Sequence, residues 1–454
     1  MEGARPLRKR QGAKRGGEAM SGFFAIRSER GPVDPHVVDA VVRASAHRGA
    51  PAMWTDDCVA LVAFGGGLHV AENEVVVADA RVDNLEGNTA EILLDAWRRD
   101  RLRSVIGDFA GVVWDRRRKE LHVFRDPCAG RAALLGESAA HVSAGSSIPM
   151  LLANPAIGRE IDGAWVRAYL AGEAGFARAT GYAAIQRCEP GSVATARGGR
   201  WRQRTYFEFS FARTREPDDA AYGARLRELL VEATRVRVAG ARRVGVSLSG
   251  GLDSTSVAAC LREAAPQTER VALSVPFTDP AADERELQKQ VADHLGMTLR
   301  WAPLGESPFG DSPVATLQAI GTPPIAPNQF FVDAVVEAGA QERVDVALDG
   351  IDGDGLLGGN WFFLADLFAT GRAFAFAKEL KAAARRHGAS RKQMLRAAVF
   401  EPLRRDPMRA GRLFATEEKQ SMSAGVLPAV VETIDEQWAR RGIRAAHPFL
   451  DRRV

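Results

Sequence analysis

Ser249, Gly250, Gly251, Leu252, Asp253 and Ser254 form the run SGGLDS inside VGVSLSGGLDSTSVA, residues 244–258. Two adjacent glycines leave the backbone bare enough for a ligand to come close. The apolar residues before and after it predict a buried strand that gives way to a helix, with SGGLDS at the junction. Free N–H groups and the helix dipole at such a junction favour an anion, and Ser249, Ser254 and Thr255 add hydroxyl donors. An aspartate repels bare phosphate, so Asp253 makes sense chiefly if it holds a magnesium ion that bridges phosphates. The Walker lysine and GxGxxG are both absent, which argues against P-loop and dinucleotide chemistry. A Ser/Gly turn capping a core helix is the plain alternative; the full strand–SGGLDS–helix context favours a pyrophosphate site.

The elements around this run must hold it in place. AYGARLRELLVEATRVRVA sets Leu226, Leu229, Leu230, Ala233 and Val236 at helical spacing. Strands are predicted at 244–248, 270–275 and within RVDVALDG (343–350), with helices at 254–263 and 283–295 between them. Such alternation predicts a doubly wound, mostly parallel α/β sheet whose ligands sit at the carboxyl ends of its strands. From about residue 355 the chain reads as helical. Residues 21 to about 205 differ: short apolar runs such as CVALVAF, NEVVVADA, GVVWD and ELHVFRD, punctuated by Gly, Asn and Asp, predict a strand-rich α+β domain. Helical patterning there is limited to HVVDAVVRASA and TAEILLDAWRRD. TREPDD (214–219), charged and broken by proline, reads as a linker.

At 454 residues there is room for two or three domains. The net charge of +4 is local, because residues 1–19 hold six basic residues against two acidic ones. The remaining chain is neutral, and a global nucleic-acid binder is excluded. Residues 1–19 are expected to be a basic disordered extension, with either Met20 the true start or the extension dispensable. Cys58, Cys128, Cys188 and Cys260 lack metal-ligand spacing and disulfides are not expected. No run approaches the about eighteen apolar residues of a membrane span, so a soluble cytoplasmic protein with no membrane partner is expected.

SGGLDS resembles the pyrophosphate loop of the ATP pyrophosphatases, in the form used by the asparagine synthetase family, which includes the lasso-peptide macrolactam cyclases. LSVPF (273–277), LDGIDGDGLLGG (348–359) and HPFLDRRV (447–454) resemble further motifs of that family, in the expected order. The resemblance implies ATP over Leu248, Ser249, Gly250, Gly251, Asp253 and Ser254, with Val275 meeting the adenine and Asp349 and Gly350 near the nucleotide. It implies Asp253 and Asp354 as the catalytic carboxylates that hold Mg2+. HRGA (47–50), GDFAGVVWD (107–115) and FRDPCAGRAAL (124–134) resemble the family's amino-terminal glutaminase sandwich. The expected domains are then a degenerate glutaminase-like domain at 20–205 and an ATP-pyrophosphatase domain at 220–454.

In that glutaminase domain an amino-terminal cysteine attacks glutamine, using its own α-amine as base. Ser21 stands here instead. Asp79, Ala80 and Arg81 replace an Asn-Gly-Glu element, and Thr89 replaces an aspartate. Glutamine hydrolysis is not expected, and the amine must come from elsewhere. ARVDN (80–84) resembles a pattern of the macrolactam cyclases, where an adenylated Asp or Glu side chain is captured by the α-amine of the same peptide. The expected activity is ATP-dependent amide formation with release of AMP and pyrophosphate, as macrolactam closure on a ribosomal peptide. The implied partners are a peptide or amino-acid carboxylate substrate, a precursor-peptide recognition protein and a leader peptidase. Rival readings are asparagine synthesis from aspartate and a catalytically incomplete nucleotide- or partner-binding remnant. Ile351 and Gly355 depart from acidic positions of the family. A carboxy-terminal stretch with a lysine is expected after PFLD; Lys289, Lys378, Lys381, Lys392 and Lys419 stand in no matching context, and a reading frame cut short is the expected explanation.

Overall fold

The apolar runs before residue 205 become strands whose two faces are both covered. The computed structural model describes residues 21–65, 67–172, 178–209, 216–304, 313–325, 329–357, 361–405 and 426–454. The extension at 1–19, Met20 and Lys419 lie outside the described residues. The chain divides into a larger unit of Met1–Glu208, Glu216–Ile351 and Val426–Val454, and a smaller one of Phe209–Arg215 and Asp352–Gly425.

In the larger unit the first strands are β1 (Gly22–Ser28), β2 (Pro51–Asp56), β3 (Val59–Phe64), β4 (Leu68–Val70), β5 (Glu74–Val82) and β6 (Gly107–Asp115). They are followed by β7 (Glu120–Arg125), β8 (Leu134–Glu137), β9 (His141–Gly145), β10 (Ile185–Arg187), β11 (Ser192–Arg197) and β12 (Arg200–Thr205). Among the described residues these form two antiparallel six-stranded sheets, ordered β10-β8-β9-β1-β3-β2 and β12-β11-β7-β6-β5-β4. Neighbouring strand residues point to opposite faces. Phe23, Ala25 and Leu61 therefore meet Val77, Val112 and Trp114 of the other sheet, while Phe24, Ile26 and Val62 pack on Val38 and Val41 of the Pro35–Ala44 helix. Val76, Phe109 and Val113 likewise pack on Leu93 and Leu94 of the Thr89–Arg98 helix. Asp34 caps the first helix by accepting from the His36 amide at 2.9 Å, ahead of a proline that has no N–H to satisfy.

The second half carries β13 (Arg243–Ser247), β14 (Glu269–Ser274), β15 (Thr298–Trp301), β16 (Val346–Leu348) and β17 (Arg444–Ala446). All pairs are parallel, in the order β15-β14-β13-β16-β17. The order reverses at β13, so a crevice opens beside it at the carboxyl ends of β13 and β16, where open α/β sheets bind ligands. Two strands go beyond the expected set. β15 and β17 are four and three residues long and lie at the sheet edges, where pairing with β14 and β16 decides the conformation more than local pattern does. The chain after residue 355 is thus not wholly helical.

The smaller unit is helical in its described residues. Leu364, Leu380, Ala383, Met394, Ala398 and Val399 form its core, drawn from the Phe362–Ala369, Ala373–Arg386 and Arg391–Leu395 helices and the π-helical turn Arg396–Phe400.

Candidate active site

SGGLDS lies where β13 ends and the Leu252–Ala264 helix begins. Leu248 continues the sheet into the loop: its N–H donates to the Leu273 carbonyl at 2.9 Å, and its own carbonyl accepts from Ser274 Oγ at 2.9 Å. The loop then folds on its hydroxyls. Ser254 Oγ accepts from the Ser249 amide at 3.1 Å and lies 3.0 Å from Ser249 Oγ, which accepts from the Gly251 amide at 3.2 Å. Gly250 sits at φ +86°, a left-handed conformation that a side chain would strain. Among the described residues no side chain caps the first turn of the helix, whose N-cap is Gly251. Thr255 Oγ1 is buried with no hydrogen-bond partner among the described residues. Bare glycine backbone, an uncapped helix start and an unsatisfied hydroxyl fit an anionic ligand. Val275 follows β14 directly and is 9% exposed.

Asp349 and Gly350 follow β16, and Gly350 presses on the loop. A Cβ there would come within 2.7 Å of the Ser254 amide nitrogen. Asp349 is engaged by a residue that pattern reading left without a role. His447 Nδ1 lies 2.9 Å from each Asp349 carboxylate oxygen, and its Nε2 lies 3.2 Å from Asp435 Oδ1. Burial alone would lower the pKa of this histidine, but Asp349 and then Asp435 overcome that and raise it to about 10. Its only sequence signal was a position directly before PFLD, and nothing in the pattern named its partners.

Asp354 belongs to the smaller unit, exposed in the Gly353–Leu357 helix, where its carboxylate accepts from the Gly355 amide at 2.9 Å. Among the described residues no group of three or more His, Cys, Asp or Glu has an arrangement that could hold a metal ion. Lys289 is exposed and 4.0 Å from Asp293, a surface pair.

The counterpart of the glutaminase pocket is closed by charge. Ser21 Oγ donates to Asp79 Oδ1 at 2.6 Å, Asp79 pairs with Arg131 at 3.2 Å, and Arg48 Nη1 donates to the Ser21 carbonyl at 2.5 Å. The remaining cavity is about 20 Å³. Arg81 is spent on Asp83 at 2.7 Å and Asp108 at 2.5 Å, and Thr89 opens a helix capped by Asn88. Burial raises the thiol pKa of Cys188 to about 12 and of Cys260 to about 11, and pushes Cys128 well up. All four cysteines are free.

Buried ion pairs join the double sheet to the parallel-sheet half. Glu432 pairs with Arg125 at 2.9 Å and Arg187 at 2.6 Å, and Glu436 with Arg48 at 2.6 Å. Arg237 pairs with Asp108 at 2.8 Å and Asp451 at 2.7 Å, and Arg453 with Asp83 at 3.1 Å. Burial works against ionising Glu436, yet Arg48 and His47 hold its pKa down at about 2.

A double antiparallel sheet followed by a parallel sheet with a glycine–hydroxyl loop at its switch point is the frame of an amidotransferase-type ligase. Two family models match it: asparagine synthase over residues 225–454 and a glutamine amidotransferase domain over residues 83–207. The first spans just over half of the chain, which belongs to the asparagine synthase family and is an ATP-dependent carbon–nitrogen ligase of that kind. No curated protein matches the sequence. Among solved structures the chain is similar to a glutamine phosphoribosylpyrophosphate amidotransferase from B. subtilis complexed with ADP and GMP. That match has 12% identity over 62% of this chain and 90% of the other, with a TM-score of 0.32. It is also similar to an allosteric regulatory enzyme of purine biosynthesis, with 12% identity over 69% and 91% and a TM-score of 0.32. A U34-tRNA thiolase from Methanococcus maripaludis with its 4Fe-4S cluster matches at 16% identity over 34% and 53%, with a TM-score of 0.20. Among the described residues no helix is long and apolar enough to cross a membrane.

Proposed function

We propose that this ligase adenylates a side-chain carboxylate of a ribosomal peptide and closes it into a macrolactam. The observation that carries this reading is the closed glutaminase pocket. With Ser21 bound to Asp79, Arg131 paired in the same place and about 20 Å³ left over, the described residues leave Ser21 Oγ engaged and little room for glutamine. The amine then has to arrive with the substrate.

ATP would lie over Leu248–Ser254, with the loop amides and hydroxyls facing its phosphates and Val275 beside the adenine. Asp253 would help to hold a magnesium ion, which supplies charge neutralisation for the departing pyrophosphate. A substrate carboxylate oxygen bonds to the α-phosphorus as the bond to pyrophosphate breaks. The amine nitrogen then bonds to the acyl carbon, losing a proton, as the bond to AMP breaks. Holding carboxylate, phosphate and amine in line supplies much of the acceleration. A precursor-peptide recognition protein and a leader peptidase are the partners such a substrate implies.

The test is ATP–pyrophosphate exchange with linear peptides that carry a free α-amine and an internal Asp or Glu, together with mass spectrometry of the product. Exchange stimulated by peptide, with a product lighter by one water, is expected. Exchange stimulated by aspartate and by no peptide would instead establish asparagine synthesis.

A further inference from the structure

The nucleotide loop rests against a single backbone step, Asp349–Gly350. A Cβ on Gly350 would lie 2.7 Å from the Ser254 amide nitrogen and 2.9 Å from Asp253 Cβ, so any shift of this step displaces the residues the chemistry depends on. β16 ends one residue earlier, at Leu348. Beyond that point the step is held by the Asp349 side chain, which accepts from the Ile351 amide at 3.2 Å and meets His447 Nδ1 at 2.9 Å. His447 is 3% exposed, and its other nitrogen faces Asp435 at 3.2 Å. An imidazole buried between two carboxylates satisfies both only as the imidazolium, donating from each nitrogen.

Asp435 also faces the small cavity lined by Ser21, Asp79 and Arg131, and after Asp79 it is the charge that most favours the Arg131 guanidinium against burial. Charge therefore alternates along Asp79, Arg131, Asp435, His447 and Asp349. Each buried charge has neighbours of opposite sign, the condition under which buried charges are tolerated.

We propose that His447 is a positioning residue for the nucleotide loop: clamped between Asp435 and Asp349, it fixes the Asp349–Gly350 step against Asp253 and Ser254 and ties that step to the closed pocket of the first domain. The proposal rests on reading residues 248–254 as the ATP loop. A merely structural histidine would change stability and leave the nucleotide affinity of the folded protein alone.

Calorimetric titration of the full chain with Mg-ATP, well below the melting temperature, separates the two roles. His447→Gln keeps a donor but cannot satisfy both carboxylates, and should weaken Mg-ATP binding about tenfold. Asp435→Asn leaves the Asp349 contact in place and should weaken it about threefold. A folded His447→Gln protein that binds within about twofold of wild type overturns the proposal. If that variant does not fold, hydrogen exchange of Asp435→Asn decides. Faster exchange at the amides of residues 249–254 supports the clamp, and exchange altered only around residues 435 and 447 overturns it. Failure of the ATP-loop reading has a separate signature: wild type itself would take up no Mg-ATP, and the proposal would fall with it.

Discussion

The chain holds two polar pockets in opposite conditions. At residues 249–254 the backbone is glycine-built, and among the described residues no side chain caps the helix start and Thr255 Oγ1 has no partner, so polar capacity is left for a ligand. At Ser21 the corresponding capacity is consumed internally, by Asp79, Arg131 and Arg48. Unsatisfied polar groups are costly when buried, so a fold keeps them where a ligand will repay the cost and satisfies them where none comes. Among the described residues one polar cluster is left open and the other is closed on itself.

The largest expected effect breaks the structural side of this contrast. Glu432 serves two guanidiniums from the first domain, with Arg125 wholly buried and Arg187 1% exposed. Glu432→Ala strands both charges and should cost about 3–5 kcal/mol of stability, read from denaturant unfolding. On the ligand side, Asp253→Ala should lower peptide-stimulated ATP–pyrophosphate exchange by at least about a hundredfold while the melting temperature stays near wild type. Product formation undiminished in that variant would end the pyrophosphate-loop mechanism. Gly350→Ala is milder: its Cβ, 2.7 Å from the Ser254 amide nitrogen, should push the loop and weaken Mg-ATP binding about tenfold.

A pH effect follows from His447. Its folded pKa of about 10 lies above the ordinary 6.5, so its contribution to stability is complete below about pH 6.5 and is lost as pH rises through 10. Unfolding midpoints should therefore fall between pH 7 and pH 10 more steeply in wild type than in His447→Gln. Equal slopes would show that the histidine is not charged in the folded protein.

How much of this was legible follows from the range of each interaction. Short apolar runs bounded by Gly, Asn and Asp, and SGGLDS itself, are local signals, so the strand-rich first half, β13, β14 and the loop after β13 could be read directly. β15 and β17 could not, because three or four residues at a sheet edge owe their form to a distant partner strand. The same holds for charge. Arg81 and Asp79 stood out as departures from a motif, but their partners Asp108 and Arg131 lie 27 and 52 positions away in sequence. Arg237, in a helix read for its leucines, is 1% exposed and pairs with Asp108 and Asp451. His447 was visible inside HPFLD, yet its role needed Asp349, 98 positions earlier, to be brought beside it.

The smallest expected effect is the sharpest test of the contrast. If the first pocket had lost only its nucleophile, Ser21→Cys in a chain that begins at residue 21, so that the cysteine carries the free α-amine that serves as base, would restore glutamine hydrolysis. The structure predicts that it will not. The side chain at position 21 points at Asp79, which is already matched to Arg131, and about 20 Å³ cannot admit a glutamine side chain together with its ammonia. Among the described residues Arg131 is paired with Asp79 and Arg48 with Glu436, pairing that does not favour a thiolate at position 21. Glutamate release from glutamine by Ser21→Cys should equal that of wild type, and peptide-stimulated exchange should be unchanged in both. Measurable glutamate release would mean that the ion pairs open readily, and that the first domain lost its chemistry by one residue instead of by rebuilding its pocket.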